Sequence, residues 1–508
     1  MSMGVVLGID VGTTTTKVIA VDVASGWRMA AFREYRLAEP QPRWQVQSPR
    51  MVLDAVDGAL AEVVAACAGR AIDVIGVGSA MHGLVGLDED LHPVTDIITW
   101  ADTRAHAEAA ELRAAGRGRE LLHLSGTPVH PMSPLVKLMW FARHDTATAS
   151  RAHHWIGLKD LVLLHLTGRL VTELSTASAS GLLDLSTRTW ADSSLALAGV
   201  RREQLPEVLP TTALLELSHE AGGRVGLPGG IPVNTGATDG PLGNLGTGAI
   251  EPGIAGLSMG TSGAVRTVVD APKLDADGRL FCYALTDDAW VVGAAISNGG
   301  VVARWAGDVY APDVPAGPLR DVQVMAMAGA VPAGSDGLIM LPYLLGERAP
   351  LWDPELTGSF LGVRHAHGRG HFIRAAIEGV ALQMSSLVDV LDTVTPVTEV
   401  RCTGGVFRAD LWRQVMAATI GRPLVPTDDA EGSALGSAIL ALYATRQVDS
   451  LAAGLELLSP AGEVADPIGV SEADRLTYSG LRARAAHLLG AYDELQSYLE
   501  TLETQPRL

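Results

Sequence analysis

The feature that most constrains this chain is a segment near its start that recurs far along the sequence. The first copy, Leu7–Asp22, is LGIDVGTTTTKVIAVD, and the second, Ala255–Asp270, is AGLSMGTSGAVRTVVD. The copies align without a gap at an offset of 248 residues, both contain a Gly-Thr pair, and both end in aspartate. Solenoid repeats recur about every 20 to 50 residues, so this spacing indicates a duplicated domain instead.

The first copy predicts two strands around a tight turn. Two apolar, β-branched runs, Val5–Val11 and Val18–Val21, flank a glycine and four threonines, a pattern typical of a hairpin. Glycine lets the backbone approach a ligand, while hydroxyl and backbone N–H groups can donate to phosphate oxygens. We therefore predict a turn that binds the phosphates of a nucleotide through Gly12, Thr13, Thr14 and Lys17.

Asp10 ends the first of these two strands. A carboxylate at this point can hold Mg²⁺ through water, beside the phosphates of a nucleotide. An ordinary threonine-rich hairpin would contain the same residues, so the segment alone leaves both interpretations open.

A second, weaker similarity between the two halves follows each copy of the hairpin. An apolar helical pattern leads into a short strand that ends in glycine; the pairs are Met51–Ala68 with Val74–Gly78, and Phe372–Leu391 with Val400–Gly405. The second hairpin has Ser258 in place of Asp10, which predicts one hairpin on the metal side and one that contacts only phosphate, through Gly260 and Thr261. Two related halves with such turns predict a nucleotide held in a cleft between them.

Composition excludes several classes of protein. A chain of 508 residues is too long for one hydrophobic core and predicts two or more domains. With 38 basic and 57 acidic side chains, the formal charge of −19 argues against binding nucleic acid or anionic membranes through bulk electrostatics. We expect no signal peptide, no membrane span and a cytoplasmic location. The scattered cysteines predict buried thiols: Cys67, Cys282 and Cys402.

Two segments of the first half contain side chains suited to a polyol. The buried strand Asp73–Gly78 leads into a loop at its C-terminal end, where α/β sheets place their ligands. Farther along, TWADTRA brings an aromatic face, a carboxylate and a forked cation close together. A structural loop histidine and an exposed helix start capped by the aspartate are the alternatives. The candidate substrate-binding residues are Met81, His82, Trp100, Asp102 and Arg104.

A third loop holds a lone carboxylate. A predicted strand, Ile231–Val233, leads into a glycine-rich turn, and Asp239 is the only acidic residue between Gly222 and Gly248. Transfer of a phosphoryl group to a sugar hydroxyl requires the attacking oxygen to lose its proton, which a carboxylate can accept. An Asx-turn would also explain an aspartate among glycines. The residues of this loop alone leave both interpretations open.

Four motifs together resemble the FGGY family of carbohydrate kinases. They are the opening hairpin, the repeated MGTSG turn, TGATDG at Thr235–Gly240 and TGGVFRADLWRQVMA at Thr403–Ala417. The likeness spans nearly the whole chain in the order of the family. It implies an α/β fold of two actin-like (ribonuclease H-like) domains that close on ATP and a sugar. Residues 1–244 would form the N-terminal sugar-binding domain, and residues 245–508 the C-terminal ATP-binding domain with a C-terminal helix.

The resemblance also implies roles for single residues. Asp239 falls at the catalytic base of the family and the Met81–His82 pair at its sugar site, with ATP and Mg²⁺ as cofactors. Three glycines of the second half would lie against the adenosine: Gly300, Gly404 and Gly405. The residues at Phe407–Ala409 stand where many relatives have polar amides, which leaves recognition of the base open.

A short string points to the substrate. HPMSPL, in the proline-rich loop within Ser125–Trp140, resembles the gluconate kinases of this family more than its xylulose or glycerol kinases. The carboxylate of gluconate calls for a cation or several donors, and the unranked candidates are Arg104, His130, Lys137 and Lys159. We expect phosphorylation of a sugar or sugar acid, gluconate to 6-phosphogluconate before xylulose or another pentulose or polyol. A non-catalytic actin-like sugar sensor is the alternative from another class.

Three further segments receive structural predictions. Trp155–Leu166 is predicted as a helix, the serine-rich STASASG at Ser175–Gly181 as low-complexity sequence, and Ser471–Leu502 as an amphipathic helix that starts with a cap. The tail helix would pack on its own domain or form an oligomer contact, as in a homodimer. Neither GxxxxGK[ST] nor a GxGxxG between a strand and a helix occurs, which disfavours P-loop and dinucleotide-binding folds.

Overall fold

The protein combines β-sheets with helices throughout. The computed structural model describes residues 4–427, 432–459 and 465–503. Its strands, β1 to β22 in chain order, are Val5–Val11, Thr15–Asp22, Arg28–Glu34, Val46–Gln47, Ile72–Ser79, Val85–Leu87, Ile97–Ile98, His154–Ile156, Val171–Glu173, Leu183–Asp184, Thr189–Trp190, Glu207–Leu209, Leu214–Glu216, Pro232–Asn234, Ile254–Met259, Gly263–Val269, Phe281–Ala284, Trp290–Ile296, Ile339–Leu341, Ser359–Leu361, Glu399–Thr403 and Leu424–Pro426. Its α-helices, α1 to α17, are Pro49–Ala66, His106–Ala114, Gly118–Ser125, Pro134–His144, Thr146–Arg151, Leu158–Thr167, Leu174–Ser178, Asp192–Ala198, His219–Val225, Asp239–Gly246, Gly300–Tyr310, Arg320–Gly329, Arg369–Val394, Asp410–Ile420, Gly432–Ala444, Leu451–Leu458 and Glu472–Glu503.

The first large sheet has the strand order β13-β14-β5-β1-β2-β3. Strand β1 is antiparallel to β2, which confirms the predicted hairpin, and parallel to β5, and β5 is parallel to β14. Alternate residues of β1 enter different hydrophobic clusters: Leu7 and Ile9 pack with residues of α1, and Val6 packs with residues of α15. Because both faces are covered, the strand is an almost continuous apolar run, broken by Asp10 near its end.

Helix α15 lies directly on this sheet because glycines leave room for its backbone. A Cβ added at Gly8 would lie 2.1 Å from Ala434 O, and one added at Gly76 would lie 2.1 Å from Ser437 O. The Ser437 hydroxyl donates to Ile9 O at 3.1 Å. The small residues of this helix are therefore explained by its close approach to β1 and β5.

The second large sheet repeats the arrangement of the first. Its strand order is β17-β18-β16-β15-β21-β22, and β15 is parallel to β21, which is parallel to β22. Strands β15 and β16 form the second copy of the repeated segment. Next to this hairpin the two sheets agree, since β15 is followed across the sheet by β21 and β22 as β1 is by β5 and β14, which a duplicated domain predicts. Beyond it they differ, because β18 lies beside β16 with β17 outside it, whereas β3 lies beside β2 at the edge of the first sheet.

By its contacts the chain divides into two units. The first comprises Met1–Pro252, Thr267–Val292 and Asp429–Glu463, and the second comprises Gly253–Arg266, Gly293–Asp428 and Val464–Leu508. Each unit thus contains more than one stretch of the chain, and α15 belongs to the first unit. The division predicted between residues 244 and 245 stays a prediction.

One prediction of local structure is wrong in its boundary. The helix predicted from Trp155 begins at Leu158, because Trp155 lies in β8 and Gly157 is extended, with ψ of 168°. The STASASG segment is low-complexity in composition, and its first four residues lie in a short, mostly buried helix, α7, whose N-terminus is capped by the Glu173 side chain. The tail helix is confirmed, with the Ser471 hydroxyl accepting a hydrogen bond from Asp474 N at 3.1 Å.

The three cysteines are buried and free, as predicted. Burial raises the pKa of the Cys282 thiol and of the Cys402 thiol to about 12, so both stay protonated near neutral pH. Within the part of the chain that the structure describes, no helix is long and apolar enough to cross a membrane.

Candidate functional site

Three neighbouring strands of the first sheet end at the same edge. Strands β1, β5 and β14 are parallel, and Val11 at the end of β1 lies opposite Ser79 at the end of β5. Beyond β14, Thr238 forms a further bridge to Ser79. Because the carboxyl ends of parallel strands meet at one edge, the segments that follow are neighbours. They hold the predicted phosphate turn, the Met81–His82 pair and Asp239.

Two side chains outside the predicted motifs, Tyr35 and Gln47, hold the turn after β1. The turn is closed by Gly12 N, which donates to Thr15 O at 2.9 Å. The Tyr35 hydroxyl donates to Gly12 O at 2.7 Å, and Gln47 Nε2 donates to Gly12 O at 3.1 Å and to Thr13 O at 2.8 Å. Burial raises the pKa of Tyr35 to about 12, so its hydroxyl stays a donor. The string WQVQ, which ends in the buried Gln47, is the feature of the sequence that indicates a side chain holding this turn.

Trp100 joins two predicted parts of the site. Its Nε1 donates to Thr13 Oγ1 at 2.9 Å, which connects a residue predicted for the sugar with the turn predicted for phosphate. Thr13 and Trp100 are partly exposed and Thr14 is exposed. Lys17 lies opposite Asp10 in the hairpin register. The structure therefore brings the predicted residues of the first hairpin and Trp100 together.

Asp102 and Arg104 form a buried pair. Asp102 Oδ1 accepts from Arg104 Nε at 2.9 Å, and Oδ2 accepts from Arg104 Nη2 at 2.7 Å. The guanidinium carbon lies 3.6 Å from the ring centroid of Trp44 and 5.2 Å from that of Trp140. The alternative of an exposed helix start capped by Asp102 is wrong, because Asp102 is buried and α2 begins at His106 without a side-chain cap. Instead, the ion pair and the packing of the Arg104 guanidinium against the two tryptophan rings hold this loop in place.

His82 occupies a constrained position after β5. Its φ is 64°, in the left-handed region that residues other than glycine seldom adopt, and such strain is concentrated at functional sites. The ring Nδ1 lies 2.7 Å from Ala179 O, and the ring packs edge-on against Tyr283 with 5.6 Å between centroids. Because a carbonyl oxygen only accepts, Nδ1 is the donor, and Nε2 of the neutral ring is an acceptor.

Lys137 ties the two candidate substrate segments together. Its Nζ donates to His82 O at 2.6 Å, to Thr99 O at 2.7 Å and to Ile98 O at 3.2 Å. The side chain is fully buried, and this burial lowers the pKa of its amine to about 7, while the nearby Asp102 acts in the opposite direction. Its N–H groups donate to backbone oxygens of the protein, so Lys137 holds the two candidate substrate segments together.

The other predicted cations are also held by the protein. Lys159 is buried in an ion pair with Glu173, and Arg104 is paired with Asp102. The Nδ1 atom of His130 accepts from Met132 N at 3.2 Å, which places the proton of the neutral ring on Nε2. Three of the four candidates for the substrate carboxylate are therefore engaged as structural groups.

Asp239 begins helix α10. Gly240 N donates to its Oδ1 at 2.8 Å, and the Ser433 hydroxyl donates to its backbone oxygen at 2.9 Å. The preceding turn requires a glycine, since Gly236 has φ of 69° and a Cβ there would lie 1.8 Å from Val77 O. The half-buried carboxylate thus stands in the first turn of α10.

In the second unit, the repeated turn lies against two of the predicted glycines. Gly260 N donates to Ser262 O at 2.9 Å, and Gly300 N donates to Gly260 O at 2.8 Å. Gly404 has φ of 113°, and a Cβ there would lie 2.1 Å from Met259 O. This φ also ends strand β21 at Thr403, whereas the sequence predicts its end at Gly405. The residues brought together here are Gly260, Thr261, Gly300, Gly404 and Gly405.

The donor set of the first hairpin fits Mg²⁺ bound beside a nucleotide. Among the described residues, no group of three or more His, Cys, Asp or Glu side chains is arranged to hold a metal. Mg²⁺ in a nucleotide site needs only one or two carboxylates, because phosphates and water supply its other ligands. Asp10, partly buried at the end of β1 beside the phosphate turn, meets that requirement.

This fold and this site define a two-domain carbohydrate kinase. Residues 5–246 match the N-terminal domain of the FGGY family of carbohydrate kinases, and residues 255–445 match its C-terminal domain. The chain belongs to the FGGY family of carbohydrate kinases.

Individual relatives agree with this assignment. The gluconokinase of Bacillus subtilis (strain 168) is 38% identical over 463 residues, which cover 89% of this chain and 90% of that protein. The xylulose kinase of the same organism is 27% identical over 455 residues, covering 88% of this chain and 90% of that protein. The crystal structure of gluconate kinase from Lactobacillus acidophilus matches with a TM-score of 0.89 at 31% identity, covering 96% of this chain and 98% of that chain.

These likenesses confirm the fold class predicted from sequence, an α/β protein with two actin-like (ribonuclease H-like) domains. They also confirm that the protein is an enzyme that uses ATP to phosphorylate a carbohydrate, so the non-catalytic sensor is no longer needed as an explanation.

Proposed function

We propose that the protein phosphorylates gluconate, giving 6-phosphogluconate and ADP. The observation that carries this proposal is the difference in identity between two relatives of one organism, 38% for the gluconokinase against 27% for the xylulose kinase. The HPMSPL string supports the same substrate. Xylulose is the second candidate, because the xylulose kinase also aligns over most of the chain.

Asp239 is the proposed catalytic base. Its carboxylate takes the proton of the attacking hydroxyl, whose oxygen forms a bond to the γ-phosphorus of ATP while the bond from that phosphorus to the β,γ-bridging oxygen breaks. ADP leaves with the electron pair of that bond. The position of Asp239 at the start of α10, with Gly240 N donating to Oδ1, supports this role because it holds the carboxylate in one orientation.

The two copies of the Gly-Thr turn are the proposed phosphate sites. The first contributes Gly12, Thr13, Thr14 and Lys17, and the second contributes Gly260 and Thr261. Asp10 would hold Mg²⁺, which neutralises phosphate charge when it is bound. We place the adenosine against Gly300, Gly404 and Gly405, whose lack of side chains leaves the backbone open to a ligand.

We propose that gluconate contacts the loops after β5 and β7. Met81, His82 and Trp100 are the proposed direct contacts, with His82 Nε2 accepting from a sugar hydroxyl. Asp102 and Arg104 belong to the same substrate site, and their mutual hydrogen bonds favour a part in shaping it. The matches of the two family models, at residues 5–246 and 255–445, support a sugar-binding domain of residues 1–244 and an ATP-binding domain of residues 245–508. A homodimer and a cytoplasmic location stay predictions.

ADP release from Mg-ATP tests the proposal directly. The full-length enzyme is assayed with gluconate, xylulose, ribulose or glycerol, and with no sugar. We expect gluconate to give the highest kcat/KM and the blank to give little turnover, since closure on the substrate excludes water from the site. A higher kcat/KM with xylulose would replace gluconate as the substrate while leaving the kinase chemistry intact.

A further inference from the structure

The short helix α7, Leu174–Ser178, contacts both loops that hold the proposed base and the proposed sugar-binding histidine. At its start, the Ser175 hydroxyl accepts from Thr238 N at 3.1 Å and lies 3.0 Å from Thr238 Oγ1. At its end, Ala179 O lies 2.7 Å from His82 Nδ1. Ser175 and Thr238 are fully buried, so solvent does not compete for these hydrogen bonds.

Thr238 is the residue directly before Asp239. It is the N-cap of α10, and its backbone bridges Ser79 at the end of β5. The sheet therefore fixes Thr238 from one side and Ser175 fixes it from the other. No cap hydrogen bond from the Thr238 side chain to α10 is present, so the orientation at the start of this helix depends on these neighbours.

A buried charge pair anchors α7 itself. The side chains of Lys159 and Glu173 are both fully buried and paired with each other. Glu173 also accepts from Ser175 N at 2.5 Å, and from Thr176 N at 2.8 Å and Thr176 Oγ1 at 2.6 Å. A buried ion pair adds little net stability after its desolvation cost. Because the pair lies at the start of a five-residue helix, we interpret it as fixing the orientation of α7.

We infer that Ser175 is a positioning residue for phosphoryl transfer, acting through Thr238 on the carboxylate of Asp239. This inference rests on the proposed function, in which Asp239 is the base. The hydroxyls of the two serines of α7 differ in their partners: that of Ser175 contacts Thr238, whereas that of Ser178 accepts from Ala284 N at 3.1 Å and donates to Ser175 O at 2.9 Å within the helix. Ser178 therefore offers a matched control on the same helix.

The first test compares kcat and KM in single variants of the full-length enzyme with gluconate and ATP. Ser175→Ala removes the hydroxyl that holds Thr238, and a small displacement of the base lowers kcat by roughly 10- to 100-fold. We expect the KM for ATP to be unchanged and Ser175→Thr, which retains the hydroxyl, to recover most of kcat. Ser178→Ala should keep the kcat of the unmodified enzyme. A comparable loss of kcat in Ser178→Ala would overturn the inference.

The second test asks whether Ser175 acts through Asp239. In an Asp239→Asn background, Ser175→Ala should cause no further loss of the residual kcat, because residues that act as one unit are not additive. A further loss as large as in the unmodified enzyme would overturn the inference. If Ser175→Ala does not fold, Ser175→Cys, a weaker hydrogen-bonding side chain of similar size, replaces it with the same readouts.

The two proposals fail in different ways. An unmodified enzyme that shows no gluconate-dependent ADP release contradicts the proposed function. An unmodified enzyme that is active, with a large loss of kcat in Asp239→Asn and full kcat in Ser175→Ala, contradicts only the role of Ser175.

Discussion

Trp100 Nε1 donates a hydrogen bond to Thr13 Oγ1 at 2.9 Å, although the two residues are 87 positions apart in the chain. An indole N–H can only donate, whereas a hydroxyl both accepts and donates. Since the Thr13 oxygen accepts from Trp100, its own proton is directed elsewhere and suits a phosphate oxygen. This contact therefore couples the proposed sugar loop to the proposed phosphate turn.

We expect Trp100→Phe to weaken the use of ATP as well as of sugar. Phenylalanine keeps an aromatic face but loses the donor to Thr13. The net worth of such a hydrogen bond is about 1 kcal/mol, which corresponds to roughly a fivefold rise in the KM for ATP. Steady-state kinetics at saturating gluconate measure this change.

Trp190→Phe is the matched control for this change. The indole of Trp190 donates to Pro206 O at 3.0 Å, in a buried setting, so the variant loses a similar bond that does not involve the phosphate turn. Its KM for ATP should equal that of the unmodified enzyme. An equal rise in both variants would mean that Trp100 acts only through stability.

Asp239→Asn should abolish most phosphoryl transfer and leave ATP binding nearly intact. The amide cannot accept the hydroxyl proton, and loss of a general base typically lowers kcat by about 10²- to 10⁴-fold. Calorimetric titration with ATP should give the Kd of the unmodified enzyme. Asp192→Asn serves as the control, because Asp192 also begins a helix but is exposed. Full activity in Asp239→Asn would remove the base assignment.

Gly8→Ala should destabilise the first sheet. The added methyl group would lie 2.1 Å from Ala434 O, so strand and helix must separate, and such overpacking costs about 1 to 3 kcal/mol. The thermal midpoint should fall. Gly223→Ala is the control, because no atom lies within 4 Å of the methyl group added at this position of helix α9. Alanine stabilises a helix relative to glycine by about 0.5 to 1 kcal/mol, so the thermal midpoint of this variant should stay the same or rise. Equal midpoints in the two variants would contradict this account of α15.

The sequence was sufficient for the parts of the fold that depend on local pattern. The hairpin with Asp10 at the end of its first strand follows from β-branched runs and a glycine turn, and the second hairpin follows from the repeat. Asp239 stands out because the glycine-rich stretch around it contains no other acid. Each of these signals lies within a few residues of the chain.

The remaining features depend on contacts between distant segments. The Ser437 hydroxyl donates to Ile9 O although the two residues are 428 positions apart in the chain. Hydrophobic periodicity in the sequence does not predict a contact between such distant residues. Helix α7 looked like low-complexity sequence because serine favours turns and caps over helix interiors, and its tertiary partners override that preference. Lys137 could be named only as one of four unranked cations, because lysine is almost never fully buried unless paired and its three carbonyl acceptors come from other segments.

The burial of Lys137 makes it a source of pH-dependent stability. Burial lowers the pKa of this amine to about 7 in the folded protein from a usual value of 10.5. Between these two values the unfolded chain binds more protons than the folded one, so the free energy of unfolding rises with pH. Below pH 7 both states are protonated and this contribution no longer changes. The slope from a single such group reaches at most about 1.4 kcal/mol per pH unit.

We therefore expect the stability of the unmodified protein to rise from pH 7 to pH 9 relative to that of Lys137→Met. The variant lacks the titrating amine, although it is also weakened at every pH because His82 O, Thr99 O and Ile98 O lose their donor. Thermal midpoints at pH 7, 8 and 9 measure the difference, which should widen with pH. Lys273→Met, which removes a partly exposed lysine, should run parallel to the unmodified protein. A constant difference between the unmodified protein and Lys137→Met would show that Lys137 keeps one charge state across this range.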